Sequence, residues 1–286
     1  MANGKVGTNS SDAPALSTPA PAGSLITFFL LAYAVMWACF FTVVAAHIPA
    51  NSVLGYFLLL LGAFAPAIAA LSLTARAEGA PGVRALLSRI VQWRVAAKWY
   101  VFAAGYTVTV KLTVALIHRV LTGVWPRFGD LPLYIIPLAI AFSTPFQAGE
   151  ELGWRGYALP RLRARFGLVR ASLLLGLIWA VWHLPQFFIP EVDTYKQSFF
   201  VFVLGVVALS VALAWLWART NGSLLLPMLM HAAWNNSKDI VPSVKPGGTS
   251  MFGFSASPVA WLTVALLWIC AAYFLLRMRK MELPRG

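Results

Sequence analysis

Long apolar runs without charged residues recur along this chain of 286 residues and restrict what it can fold into. A helix needs about 20 apolar residues to cross a hydrocarbon core of about 30 Å, and several runs reach that length. Hydrophobic residues make up 60% of the sequence and charged residues only 11%, which is unlike a soluble globular domain. The sequence therefore predicts a helical protein that crosses a membrane several times.

The apolar runs predict an all-α fold, a polytopic bundle of about eight transmembrane helices. In chain order the predicted spans are 23–46, 51–75, 99–121, 131–149, 171–189, 197–218, 223–237 and 254–276. Residues 1–22, rich in Ser, Ala, Pro and Gly, predict a flexible cytoplasmic tail, and residues 23–280 form the predicted transmembrane domain. Apolar residues at helical spacing within 83–91, beside arginines, predict a helix in the interface that contacts membrane lipids.

The basic residues are distributed unevenly between the predicted loops. The chain has 22 Lys and Arg against nine acidic residues, a net charge of +13. If the N-terminus is inside, sixteen of the basic residues fall in cytoplasmic segments and five outside, while Lys111 falls within a span. This bias predicts an inner (plasma) membrane protein with both termini in the cytoplasm, and it explains the basic composition without a nucleic-acid partner.

Ionisable side chains within spans are costly, so each is a functional candidate. Two glutamates and an arginine stand at the end of span four, and histidines stand in spans five and seven: Glu150, Glu151, Arg155, His183 and His231. On a helix the two glutamates point about 100° apart. Arg155 lies one turn beyond Glu151, so we expect these two to pair and Glu150 to face another side.

The third polar element is the pair His231 and Asn235, four residues apart and therefore on one face of a helix. With the glutamates and His183, it supplies the groups that acid–base hydrolysis of a peptide bond requires. Structural alternatives stay open at this point. A helix-end salt bridge would explain the glutamates, and hydrogen bonds between helices would explain the histidine and the asparagine.

At these residues the sequence resembles the CAAX protease and bacteriocin-processing family, also called the Abi family, which includes the Ras-converting CAAX endopeptidases. The family motifs are Glu-Glu-x-x-x-Arg, Phe-x-x-x-His and His-x-x-x-Asn or Asp. They appear here as Glu150-Glu151 with Arg155, Trp179 with His183, and His231 with Asn235. The resemblance covers residues 131–237. Trp179 stands where phenylalanine is usual, an exchange that we expect to alter only the shape of a cavity.

The resemblance implies an intramembrane glutamic endopeptidase whose helices surround a conical cavity open to the cytoplasm. Glu150 and His183 would activate a water molecule, with Glu151 beside them and Arg155 in support. His231 and Asn235 would stabilise the oxyanion. The implied partner is a peptide or protein substrate, with or without a prenylated C-terminal tail.

Two alternatives to this function stay open. A zinc-dependent hydrolase would use His183 and His231 as metal ligands, although the sequence lacks His-Glu-x-x-His, and we expect no cofactor. A non-enzymatic transporter or immunity protein would use the same polar residues as a relay.

Hydropathy alone places the candidate residues at different depths. Span four ends at Gly149, which leaves Glu150 at the surface, whereas His183 lies about 18 Å along its own helix. We therefore predict that span four continues as a helix through Arg155, with Pro145 permitting a bend. A separation of more than about 10 Å between Glu150 and His183 would contradict their joint role.

Overall fold

The computed structural model of the protein describes residues 22–243 and 248–282, and the predicted flexible tail at 1–22 lies outside them except for its last residue. Every regular element of the described part is helical, which confirms the predicted all-α fold. The α-helices are α1 (Ala22–Ala45), α2 (Val53–Ala63), α3 (Ala65–Ser88), α4 (Ala97–Thr122), α5 (Ile136–Ser143), α6 (Ala148–Glu151), α7 (Leu159–Trp182), α8 (Phe199–Arg219), α9 (Leu225–Ser237) and α10 (Pro258–Glu282).

Five helical segments of the described chain are long and apolar enough to cross a membrane: Leu25–Ala45, α4, Leu133–Phe188, α8 and α10. A sixth span forms if α2 and α3, which meet at a bend of 49°, are taken together. All eight predicted spans are helical, although α9 has only 13 residues, fewer than the about 20 that a crossing needs. The chain is a multi-pass membrane protein.

The segment Leu133–Phe188 contains two of the predicted spans and has 56 residues, far more than one crossing needs. Short 3-10 turns, Leu133–Ile135 and Thr144–Gln147, flank α5, and a π-helix, Leu152–Ala158, joins α6 to α7. The helix is interrupted within α7 at Gly167, whose φ of 77° is strained for other residues. The break lies between the two predicted spans.

The predicted interfacial helix is shorter than expected. The helix α3 continues past a break at Gly79, where φ is 63°, and ends at Ser88. Ile90 and Val91 were expected within this helix and instead lie beyond its end. The backbone turns after Ser88 because the amides of Arg89 and Ile90 bond to carbonyls only three residues back.

Close packing of α3 against the π-helix fixes the position of the two glutamates. Gly153 allows this approach, since a Cβ added there would lie 2.4 Å from Pro66 Cβ and 2.6 Å from its carbonyl oxygen. Every residue of the π-helix is buried. π-Helical turns inside α-helices are frequent at functional sites, and this one directly follows Glu151.

Candidate active site

The carboxylate of Glu151 is buried and bonded to two cationic or potentially cationic groups. Its Oε1 lies 2.9 Å from Arg155 Nη1 and 2.9 Å from His231 Nδ1. Glu151 and Arg155 are completely inaccessible. The pairing of Glu151 with Arg155 expected from their spacing is thus present, and it also holds the ring of His231, which comes from α9.

Glu150 faces a different group of side chains, as the helical geometry predicts. Its Oε2 accepts hydrogen bonds from the indole Nε1–H of Trp179, at 2.6 Å, and from that of Trp154, at 3.3 Å. The side chain is 15% exposed. Two indole donors therefore fix a carboxylate that is still accessible to a small molecule.

His183 lies beside Glu150. Its Nε2 is 4.0 Å from Glu150 Oε2, and its Nδ1 is 2.7 Å from the carbonyl oxygen of Trp179. A carbonyl only accepts, so Nδ1 must carry a hydrogen and donate it. In the neutral ring, Nε2 then presents its lone pair toward the carboxylate. The separation is well below the 10 Å that would have contradicted their joint role.

The path of the backbone brings Glu150 and His183 together, although hydropathy places them far apart. The chain remains helical from Pro145, in a 3-10 turn, through α6, and Arg155 lies in the π-helix. The predicted helical continuation through Arg155 is therefore confirmed. It places Glu150 alongside the C-terminal end of α7, which His183 directly follows.

His231 and Asn235 lie on α9 and take different partners. The ring of His231 is 5.2 Å from that of Trp179, and its Nδ1–H donates to Glu151. Asn235 donates from Nδ2 to Gln147 Oε1, at 3.4 Å, one turn before Glu150. That contact is long for a hydrogen bond, so the amide can exchange it for a stronger acceptor.

Sequence reasoning missed two members of this site, Trp154 and Gln147, and gave a third, Trp179, no role beyond the shape of a cavity. Trp179 has the most contacts of the three: its indole N–H donates to Glu150, its carbonyl accepts from His183, and its ring centroid lies 4.3 Å from Arg155 Cζ. The expectation that Trp179 changes only cavity shape is therefore too narrow. The indole N–H was a usable signal, because a buried Trp normally finds an acceptor.

The side chains at the site do not form a zinc ligand set. A catalytic zinc takes three protein ligands, and within the described ranges no group of three or more His, Cys, Asp or Glu residues is placed to hold a metal ion. Nδ1 of His231 is bonded to Glu151, and Oε2 of Glu150 accepts from two indoles. The described site therefore does not fit a catalytic zinc ion, and the expectation of no cofactor stays a prediction.

The fold and the site together define a class: a multi-pass helical membrane protein with buried glutamate, histidine and arginine side chains clustered between its helices. Residues 130–237 match the model of a protein family described as type II CAAX prenyl endopeptidase Rce1-like. The matched segment contains all three motifs, so the match confirms the resemblance that they indicate.

A curated relative supports the same assignment. CAAX prenyl protease 2 of Methanococcus maripaludis is 30% identical over 115 residues, which is 38% of this chain. The match covers 40% of the length of that relative.

Proposed function

We propose that this protein is an intramembrane endopeptidase that hydrolyses a peptide bond with a water molecule activated by Glu150 and His183. The convergence of Oε2 and Nε2, 4.0 Å apart, carries the proposal. Two hydrogen bonds of about 2.8 Å from one water to these atoms would enclose an angle of about 90°. This is close to the angle between the two O–H bonds of water, so one molecule can donate to both bases.

Proton transfer follows from this arrangement. As the water oxygen attacks the peptide carbonyl, one of its protons passes to the carboxylate of Glu150 or to Nε2 of His183. The same proton is then delivered to the leaving amine, which restores both bases. The indoles of Trp154 and Trp179 hold the carboxylate in its orientation by donating hydrogen bonds. Because an indole only donates, neither competes for the proton.

Two donors are available for the oxyanion of the tetrahedral intermediate. Asn235 can donate from its amide without a change of charge. His231 donates to Glu151 through Nδ1, so it can donate to an oxyanion only when Nε2 also carries a hydrogen, as in the imidazolium. Donors directed at a developing oxyanion act strongly because they need no reorganisation.

The proposed substrate is a peptide or a protein with an accessible C-terminal tail. In its most specific form, this tail carries a prenylated cysteine. The relative from Methanococcus maripaludis, a CAAX prenyl protease, supports this substrate class. We further propose that the protein resides in the inner (plasma) membrane with both termini in the cytoplasm, on the strength of the charge distribution.

The test uses the full chain in detergent with a panel of fluorogenic C-terminal peptides, with and without a prenyl group. Glu150→Gln should abolish cleavage, whereas Glu191→Gln, an exposed glutamate in the loop after α7, should leave it intact. Cleavage that persists in EDTA would support a metal-independent reaction. Cleavage that chelation abolishes and zinc restores would reverse that part of the proposal, and a fully active Glu150→Gln would overturn its core.

A further inference from the structure

A second polar cavity lies beside the Glu150–His183 pair. Its volume is about 90 Å³, and it is lined by α4, α8 and α10, by Trp234 of α9 and by the loops that precede α8 and α10. Phe202 of α8 forms part of its wall, and the ring centroid of Phe202 is 5.5 Å from that of His183. One aromatic ring therefore separates this cavity from the proposed base.

Lys111, which the sequence left unexplained, contributes a buried ammonium to the cavity. The residue is 1% exposed, and Nζ donates to Val241 O at 3.1 Å, Ser243 Oγ at 2.8 Å and Thr263 Oγ1 at 3.4 Å. All three acceptors are neutral. Within the described ranges no carboxylate forms an ion pair with Lys111. A buried charge without a counter-ion is costly and marks a functional position.

The other groups around the cavity also favour an anion. Three lysines and one aspartate line it in the described chain, and the aspartate, Asp193, is already paired with Lys238 at 2.6 Å. Thr194 is buried in the wall, and its hydroxyl has no hydrogen-bond partner. Ser243 accepts from Lys111, so its hydroxyl can donate in turn.

We propose that this cavity binds the C-terminal carboxylate of the substrate, with Lys111 as the charged donor and Thr194 and Ser243 as hydroxyl donors. The inference rests on the proposed function, because a Cys-a-a-X tail ends in a carboxylate three residues beyond its cysteine. Three extended residues span about 10 Å. The carboxylate would replace the long contact between Lys111 and Thr263.

The size of the cavity limits which part of the substrate can bind in it. About 90 Å³ is room for several water molecules. A carboxylate with a short side chain fits this space, whereas a prenyl chain does not. The lipid part of a prenylated substrate must therefore bind elsewhere along the bundle, and the cavity recognises the end of the peptide.

The test compares two forms of one farnesylated hexapeptide, labelled at its amino end, that differ only in a free carboxylate or an amide at the C-terminus. Binding is measured to the full chain carrying Glu150→Gln, so that turnover does not interfere. We expect the acid to bind about ten- to hundredfold more tightly than the amide, as for a charged hydrogen bond in a buried site. Lys111→Met should reduce this ratio to about one.

Two further variants separate recognition from a structural role of Lys111. Thr194→Val keeps the shape of the side chain and should lower the acid-to-amide ratio severalfold, even if Lys111→Met fails to fold. Lys98→Met, at the start of α4 and away from the cavity, should leave the ratio unchanged. Equal binding of acid and amide to the Glu150→Gln protein, or equal weakening of both by Lys111→Met, would overturn the inference.

Cleavage of the same two peptides by the unmutated protein distinguishes failure of this inference from failure of the proposed function. Equal cleavage of acid and amide would refute carboxylate recognition and leave the endopeptidase standing. A Lys111-dependent preference for binding the acid, without cleavage of either peptide, would refute the endopeptidase and leave the cavity as an anion site.

Discussion

At the scale of single residues, Trp179 connects the groups on which the proposed chemistry depends. Its N–H, carbonyl and ring face contact Glu150, His183 and Arg155 respectively. Phenylalanine, usual at this position in the family that the sequence resembles, can supply the carbonyl and a ring face. It cannot supply the N–H, so in this chain the orientation of the Glu150 carboxylate depends on the indole of Trp179.

Trp179→Phe should therefore lower kcat/KM for peptide cleavage by about tenfold or more, since a hydrogen bond to a charged group contributes about 1.5–3 kcal/mol. Trp268→Phe is the matched control, because it removes an indole hydrogen bond of 3.1 Å to Leu204 O away from the site. If both variants lose activity equally, or neither does, Trp179 does not position Glu150.

The ion pair between Glu151 and Arg155 calls for a stability test, because both side chains are inaccessible. Glu151→Gln would leave the arginine charge buried without its counter-ion, at a cost of about 3–5 kcal/mol in the free energy of unfolding. The double variant Glu151→Leu/Arg155→Met removes both charges and should be more stable than Glu151→Gln. Thermal unfolding in detergent measures the difference, and a double variant less stable than the single one would contradict this account.

At the scale of helices, hydropathy predicted the helical segments but not the packing of α3 against the π-helix. Each of the eight predicted spans coincides with helical structure, because burial in lipid selects composition directly. The position of Glu150 beside His183 could not be predicted this way, since it depends on the π-helix and on the tertiary contact between Gly153 and Pro66. The roles of Gln147 and Trp154 were hidden for the same reason: their partners lie on other turns or other helices.

Gly153→Ala tests whether this close contact positions the site. The new methyl group would meet Pro66 at 2.4 Å, so α3 must move, and overpacking of this kind costs about 1–3 kcal/mol. We expect lower thermal stability and lower activity together. Gly105→Ala, in α4, meets no atom within 4 Å and should be neutral or stabilising. Unchanged activity in Gly153→Ala would show that the contact does not position Glu150.

At the scale of the whole molecule, charge and polarity gather at opposite ends of the bundle. Lys98, Arg219, Arg277 and Lys280 line one cavity of about 380 Å³ at the start of α4 and the ends of α8 and α10. The polar cavity of Lys111 reaches the surface at the other end, at the loops that precede α8 and α10. The positive-inside rule predicts that the first, basic end faces the cytoplasm. The family resemblance implies that the substrate cavity also opens to the cytoplasm.

The cavity of Lys111 opens at the opposite end. If substrate enters through it, the two expectations conflict, and cysteine labelling decides between them. In a protein without its two native cysteines, a single cysteine replaces either Lys280 or Glu191. The positive-inside rule predicts that an impermeant maleimide labels Glu191→Cys on intact cells and Lys280→Cys only after permeabilisation. The reverse pattern would place the cavity of Lys111 on the cytoplasmic side, as the resemblance implies.

The central claim is that Glu150 and His183 act on the same water molecule, and a double-variant comparison tests it most directly. Residual single-turnover cleavage is measured for Glu150→Gln, for His183→Ala and for the two combined. Residues that act as a unit have non-additive effects, so we predict that the combined variant is no slower than the slower single variant. Rate losses that multiply in the combined variant would show that the two side chains act independently and would contradict the claim.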